Sequence, residues 1–280
     1  MRPIRNLVLV PLLLLAGASV SHAQSYRDDN DADWLERCRD GRDNRFSDDD
    51  RAHACEVRNV PLKLSGRSIA VDGRQNGGVR VVGWSGDSVR VTARLQAQGR
   101  TDAGAKALLA RVRVVADGRS VRADGPSMEE HDHAGWAVSF VVLVPRRFDL
   151  DLDAHNGGLS VTGVNGKLEL GTTNGSVSLS DVGGDVHAHT QNGSLNVQLT
   201  GSEWDGAGLD AETHNGSVRL SVPESYSARL ETGTVNGRIN TEIPITVSGN
   251  ISRRMSFSLG SGGAPVRVTT TNGSVMITRR

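Results

Sequence analysis

Short stretches of alternating apolar and polar residues fill this chain from Val60 onward, and from 148 on they recur around one fixed marker, the dipeptide Asn-Gly. It stands at Asn156, Asn174, Asn192, Asn215, Asn236 and Asn272, with an apolar residue two positions after the Gly in every case. The steps are 18, 18, 23, 21 and 36 residues, the last being twice 18 and reading as two coils with one copy dissolved into a loop. Before the Asn, the inward-reading pairs are Leu150/Leu152, Leu168/Leu170, Val186/Ala188, Leu209/Ala211, Leu230/Thr232 and Val266/Val268. After it come Leu159/Val161, Val177/Leu179, Leu195/Val197, Val218/Leu220, Ile239 and Val275/Ile277. Each half of each unit is therefore a strand with one buried face.

Asn-Gly is also a strong hairpin signal, and the further breaks Asn165-Gly166 and Gly183-Gly184 would let the same strands form an antiparallel meander. The Thr-x-Asn-Gly-Ser cassette, however, returns only at every second break. Identical residues at full-period spacing are what stacking in register produces. The expected fold is thus all-β: a parallel β-solenoid of about 18 residues per coil, right-handed by the usual handedness of parallel crossovers. The Asn column (Asn156, Asn174, Asn192, Asn215, Asn236, Asn272) reads as a structural turn ladder, suited to a left-handed turn and able to hydrogen-bond the next coil. The Thr column (Thr172, Thr190, Thr213, Thr234, Thr270) shares the parity of the buried positions.

Upstream, Asn76-Gly77-Gly78-Val79 is an imperfect early copy, and 88–92, 112–115, 120–123 and 136–144 read as further strands. One good helix is expected over 102–110, capped by Asp102 or Thr101. Residues 24–59 form a polar leader dense in Asp and Arg, where a short helix over 32–39 would put Trp34, Leu35 and Cys38 on one face. Such a leader would cover the open end of a strand stack, with Phe46 as a further apolar contact. The domain plan is then 1–23, 24–59 and 60–280, with the clear repeats at 148–244 and 265–278.

The first 23 residues set the compartment. Arg2 and Arg5, an apolar run from Leu7 to Ala18 and Ser21-His22-Ala23 make a secretory signal peptide, cleaved after Ala23, rather than a transmembrane anchor. The exported chain then carries two cysteines, Cys38 and Cys55. In an oxidising compartment they read as a disulfide, since a thiol pair holding metal would need closer spacing and nearby ligands.

Charge and composition narrow the function. Lys plus Arg and Asp plus Glu both number 32, which gives no electrostatic reason for a nucleic-acid partner. The 33 Gly are turn and corner residues, and no nucleophile elbow, phosphate loop or cofactor motif occurs in the strand-to-helix context it requires. One outward column, Asp151, Glu169, His187, Asp210, Glu231 and Arg267, would be spaced about 4.8 Å apart by stacking. It is the candidate ligand-binding surface, either a solvated face or one that takes cations or cationic groups. His187 and His189, with Glu169 or Asp210 as a third ligand, give a weak metal alternative. His131-Asp132-His133 gives another, and Asp29-x-Asp31-x-Asp33 with Asp40 imitates a calcium loop but lacks its Gly and its Glu.

Trp136-x-x-x-Phe140-x-Val142-x-Val144-Pro145, the six Asn-Gly cassettes and Gly260-Ser261-Gly262-Gly263 together resemble the putative-adhesin, β-strand-repeat family of exported bacterial proteins. The resemblance runs from about Val60 to the C-terminus. It implies a β-solenoid and an envelope location, and it brings no catalytic motif. The expected function is a non-catalytic envelope protein, adhesin-like or structural, whose partner is an envelope glycan or another envelope protein. The alternative is a polysaccharide-acting β-helix enzyme using Asp151, Glu169 and Asp210, for which Arg267 would lie far along the stack.

Overall fold

The computed structural model describes residues 30–42, 51–127, 134–243 and 254–280. Residues 1–23, where the sequence suggests a signal peptide, and Asp29, Phe46 and His131-Asp132-His133 lie outside the described residues. In chain order the elements begin with α1 (Asp31–Arg39), β1 (Ala52–Val60), β2 (Ser68–Asp72), β3 (Val79–Trp84) and β4 (Arg90–Gly99). Next come α2 (Asp102–Arg111), β5 (Arg113–Ala116), β6 (Ser120–Asp124) and β7 (Gly135–Pro145). The repeats follow as β8 (Asp149–Ala154), β9 (Leu159–Thr162), β10 (Asn165–Thr172), β11 (Val177–Ser180), β12 (Gly183–Asn192) and β13 (Leu195–Gln198). The last are β14 (Gly208–Asn215), β15 (Val218–Val222), β16 (Ala228–Asn236), β17 (Ile239–Thr241), β18 (Arg254–Leu259), β19 (Pro265–Asn272) and β20 (Val275–Arg279).

The strands form two ten-stranded sheets, ordered β1-β4-β7-β3-β9-β11-β13-β15-β20-β17 and β18-β16-β19-β14-β12-β10-β8-β2-β6-β5. Every cassette is the corner where the chain passes from the second sheet to the first. Asn174-Gly175, for example, joins β10 to β11, which rules out the hairpin meander. Within the repeats the pairing is parallel and in register, with Leu168 beside Leu150 and Val186. Their inward residues meet in one core, where Leu152, Leu168, Leu195 and Leu230 are fully buried.

The pure parallel solenoid is nevertheless wrong, in three respects. Both sheets are mixed: β1 with β4, β4 with β7, β5 with β6, and β16 with β18 pair antiparallel. These pairs sit at the ends of the sheets, where a stack would otherwise present unpaired backbone. Among the described residues there are two helices rather than one, because α1 forms alongside α2. And the chain does not coil in sequence order. The last unit, β19 and β20, slots between β14/β15 and β16/β17, so the Asn272 coil lies between those of Asn215 and Asn236. The 36-residue step is therefore an excursion and a return, not two successive coils.

Three side-chain columns fix the corners. Each Asn donates from Nδ2 to Oδ1 of the Asn before it in space: Asn156 to Asn76 at 3.1 Å, Asn174 to Asn156 at 2.8 Å, and Asn192 to Asn174 at 2.8 Å. The run continues with Asn215 to Asn192 and Asn272 to Asn215, both 2.8 Å, and Asn236 to Asn272 at 2.7 Å. Each Thr of the column (Thr172, Thr190, Thr213, Thr234 and Thr270) donates its hydroxyl to the cassette Gly carbonyl of a neighbouring coil, as in Thr190 to Gly175 O at 2.7 Å and Thr270 to Gly216 O at 2.8 Å. The Gly residues are needed for close approach. A Cβ on Gly193 would lie 2.0 Å from Gly175 O, and one on Gly216 2.0 Å from Gly193 O. No ladder Asn has a positive φ, since among the described non-glycine residues only Arg74 and Asp181 do. The left-handed-turn role given to Asn from sequence is thus replaced by the hydrogen-bond role alone.

Asn192→Ala removes one donor and one acceptor from the middle of this ladder. It should cost about 1 kcal/mol, because water replaces the exposed partners. Asn236→Ala, at the end, loses one rung and should cost about half as much. Paired urea denaturation curves would show the order, and equal midpoints for the two variants would contradict it.

Within the leader, α1 packs against β1 and β4 at the edge of the first sheet. Cys38 bonds to Cys55 with an S–S distance of 2.04 Å, tying α1 to β1. Trp34 and Cys38 are buried, while Leu35 is half-buried. Arg94 of β4 receives α1 through Asp31 at 2.9 Å and lies over the Trp34 ring at 5.7 Å. In α2, Thr101 is the N-cap, its Oγ1 accepting from Gly104 N at 3.1 Å, and Ala105 and Leu109 are buried.

Candidate functional site

The outward face of the second sheet carries the column expected from the sequence, in a different order. Pairing sets Asp151 beside Glu169, Glu169 beside His187, and His187 beside Asp210. Arg267 then follows Asp210, and Glu231 comes last. The chain's return thus brings Arg267 beside Asp210, from which sequence order separates it, and sets it between Asp210 and Glu231. Its Nη1 donates to Asp210 Oδ1 at 2.7 Å and Oδ2 at 2.8 Å, and Nη2 is 3.8 Å from Glu212.

A shallow groove of about 260 Å³ occupies the middle of this face, lined by Glu169, His187, His189, Asp210 and Glu212, with Leu170 and Ala188 also lining it. Three of the column's six residues, Glu169, His187 and Asp210, meet there. Asp151 stands one strand to one side, and Glu231 lies beyond Arg267 on the other. Glu212 was missed in the sequence, although its place two residues after Asp210 on the same strand face is the signal that finds it. Short-range pairing spreads the charge: His187 Nε2 is 3.2 Å from Asp185 Oδ1, and Lys167 Nζ is 3.4 Å from Glu169 Oε1.

Among the described residues no group of three His, Cys, Asp or Glu side chains is arranged to hold a metal ion. His187 and His189 share a face, yet neither Glu169 nor Asp210 closes a ligand set with them. Asp31 and Asp33 of the calcium-like spacing lie in α1, where a helix replaces the loop that such a site needs. No described helix is long and apolar enough to cross a membrane.

Asp153, one step along β8 from the column, is the acid that the face perturbs. Partial desolvation, then the negative charges of Asp151 and Asp72, hold its carboxyl above the usual carboxylate range. The folded chain binds this proton more tightly than the unfolded chain. Its contribution is therefore favourable at low pH and is lost as the pH rises through the folded pKa. Asp153→Asn should raise stability at pH 7 by about a few tenths of a kcal/mol, because solvent screens an exposed group. The gain should vanish below the ordinary carboxylate range. Thermal melts across pH test this, and a gain that grew on acidification would refute it.

Comparison with curated proteins finds no match. Solved structures give distant likenesses. A putative cell adhesion protein from Clostridium sporogenes is 10% identical, with 81% of this chain and 100% of that chain covered and a TM-score of 0.44. A putative adhesin from Bacteroides fragilis is 10% identical, with 81% and 97% covered and a TM-score of 0.38. A putative adhesin from Parabacteroides distasonis is 10% identical, with 81% and 98% covered and a TM-score of 0.36. Residues 146–278, which hold all six cassettes and the whole outward column, match the family described as Toastrack DUF4097.

Proposed function

We propose that this chain is an exported, non-catalytic protein of the cell envelope that offers its stacked strands as a rigid binding face for an envelope glycan or another envelope protein. One observation carries the reading: the outward face is a set of in-register rows on a backbone pinned at every corner by the Asn, Thr and Gly columns. Such a face adds one equivalent contact row per coil and needs no ordering on binding, which lowers the cost of association. The signal-peptide pattern and the Cys38–Cys55 bridge support the exported location. Mature protein immobilised on beads should retain peptidoglycan, polysaccharide or an envelope protein fraction from the cells that make it. Retention of none of these would contradict the reading.

A second reading gains one point from the structure. Arg267 lies between Asp210 and Glu231, which answers the objection that no base is near the acids. Against it, both Asp210 oxygens are already engaged by the Arg267 guanidinium, which takes that carboxylate out of proton transfer. Turnover of an acidic glycan with calcium, abolished by Asp210→Ala, would establish the enzyme. No turnover would leave the binding protein.

A further inference from the structure

A second groove lies at the corner between β6 of the second sheet and β7 of the first, away from the outward column. It measures about 530 Å³ and is lined by Arg74, Gln75, Asp124, Ser127 and Trp136, with the Ala123–Pro126 backbone. We propose that it takes a neutral pyranose unit of a glycan, with Trp136 as the apolar wall and Arg74 and Asp124 as the pair that reads neighbouring hydroxyls. This deepens the binding reading above and rests on it.

The wall is held in place before any ligand arrives. Trp136 Nε1 donates to Pro126 O at 2.9 Å, which fixes the ring, and Gly125 packs on it so closely that a Cβ there would lie 2.6 Å from Cε2. The indole is half-buried, so part of it remains open to the groove. The polar pair is equally fixed. Arg74 Nη2 donates to Asp124 Oδ1 at 2.8 Å, and Arg74 Nε donates to Ala123 O at 3.3 Å.

Arg74 adopts φ 54°, a left-handed backbone that is unfavourable for a side-chain-bearing residue. Local bonds hold it there: Asp72 Oδ1 accepts from Arg74 N at 2.7 Å, and His155 N donates to Arg74 O at 2.9 Å. Glycine would adopt this conformation freely, so the fold carries strain to present a guanidinium at this spot. Strain of this kind clusters at ligand sites.

The charge pattern selects the ligand. Arg74 lies 3.5 Å from Asp72 and 2.8 Å from Asp124, and Arg122 lies 3.6 Å from Asp124. Among the described residues that line the groove, the charged ones are Arg74 and Asp124, which cancel each other, so this lining has no net pull on a phosphate, a uronate or an amine. What it offers is an amphipathic ring beside fixed donors and acceptors, in a volume of the ordinary small-ligand range. A pyranose, with one face of C–H bonds and an edge of hydroxyls, matches that pairing.

Isothermal titration of the mature protein with maltohexaose and chitohexaose, and with hexagalacturonate as the charged comparator, tests this. At least one neutral hexasaccharide should bind, and the charged one should bind more weakly. Arg74→Gly and Trp136→Phe should each weaken binding by about tenfold or more, the loss expected for one good polar or stacking contact. Arg74→Gly should melt no lower than the parent, since it relieves the backbone, and this separates lost binding from lost folding. Unchanged affinity in Arg74→Gly, or equal binding of hexagalacturonate, overturns the groove assignment while leaving the envelope-binding reading standing. Binding of neither neutral probe also overturns it, and the bead-retention experiment then decides the broader reading by itself.

Discussion

Gly157→Ala is expected to destabilise the protein by about 3 kcal/mol or more, while Gly158→Ala next to it should cost less than about 1 kcal/mol. The two glycines are adjacent and equal in helix or strand propensity, so composition alone predicts equal effects, yet Gly157 is buried and Gly158 exposed. The stack separates them. A Cβ on Gly157 would lie 1.9 Å from Gly77 O and 2.4 Å from Gly77 C, both backbone atoms of the next coil. Relief requires the two coils to part, which strains the Asn156–Asn76 bond and the Thr172 bond to Gly157 O. Overpacking against mobile side chains costs about 1–3 kcal/mol, and here neither side can turn away, so the upper end applies. A Cβ on Gly158 meets only Ser176 O, at 3.2 Å, a contact that a shift of a few tenths of an ångström relieves. Urea midpoints of the two variants decide the matter. Equal midpoints would mean that the cassette Gly serves the corner's conformation rather than its closeness.

The second large effect belongs to Cys38–Cys55. A Cys38→Ser/Cys55→Ser double variant should lose about 3 kcal/mol, the chain-entropy value for a loop of this size. The polar surface next to the bridge explains why the cap depends on it. Cys55 pairs with Gln96 and His53 with Gln98, so all four share the face on which Cys55 reaches α1. Gln96 Nε2, Gln98 Oε1 and His53 Nδ1 are buried there without a hydrogen-bond partner. The non-covalent contacts of α1 include Trp34 and Arg94, whose guanidinium serves both the ring and Asp31. Without the bridge, trypsin should cut sooner at Arg37 and Arg39, and the melt should fall. A double variant with unchanged melt and cleavage would show that the cap holds by packing alone.

Much of this was legible in the sequence, for a physical reason. A side-chain ladder only works when like stands on like, so the recurrence of Thr, Asn and Gly at one spacing already implies parallel, in-register neighbours. Period-2 alternation set the parity of Leu168, Leu170, Val177 and Leu179, and all four are buried. The bridge and the helix at 102–110 were equally plain. The order of the coils was not, because a cassette states what it can stack on but not which copy it will meet. Asn272 fits Asn215 as well as Asn236 does, and the structure puts it between them. The antiparallel closures were hidden too, since β1 and β4 alternate as any half-buried strands do. The groove at Trp136 draws on β2, β6 and β7, which are distant in sequence, and only the fold brings Arg74, Asp124 and Trp136 together.

Coil order determines which charges meet on the candidate face, so it is the claim to test most directly. Paired cysteines at 210 and 267, as Asp210→Cys with Arg267→Cys, should oxidise to a disulfide, because paired strands lie about 4.8 Å apart. Asp210→Cys with Glu231→Cys should not, because Arg267 stands between them and the separation is then about twice that, beyond the reach of the bond. Peptide mapping after mild oxidation reads both outcomes. A 210–267 bridge without a 210–231 bridge is the predicted result, and the reverse would restore coils stacked in sequence order and contradict the account.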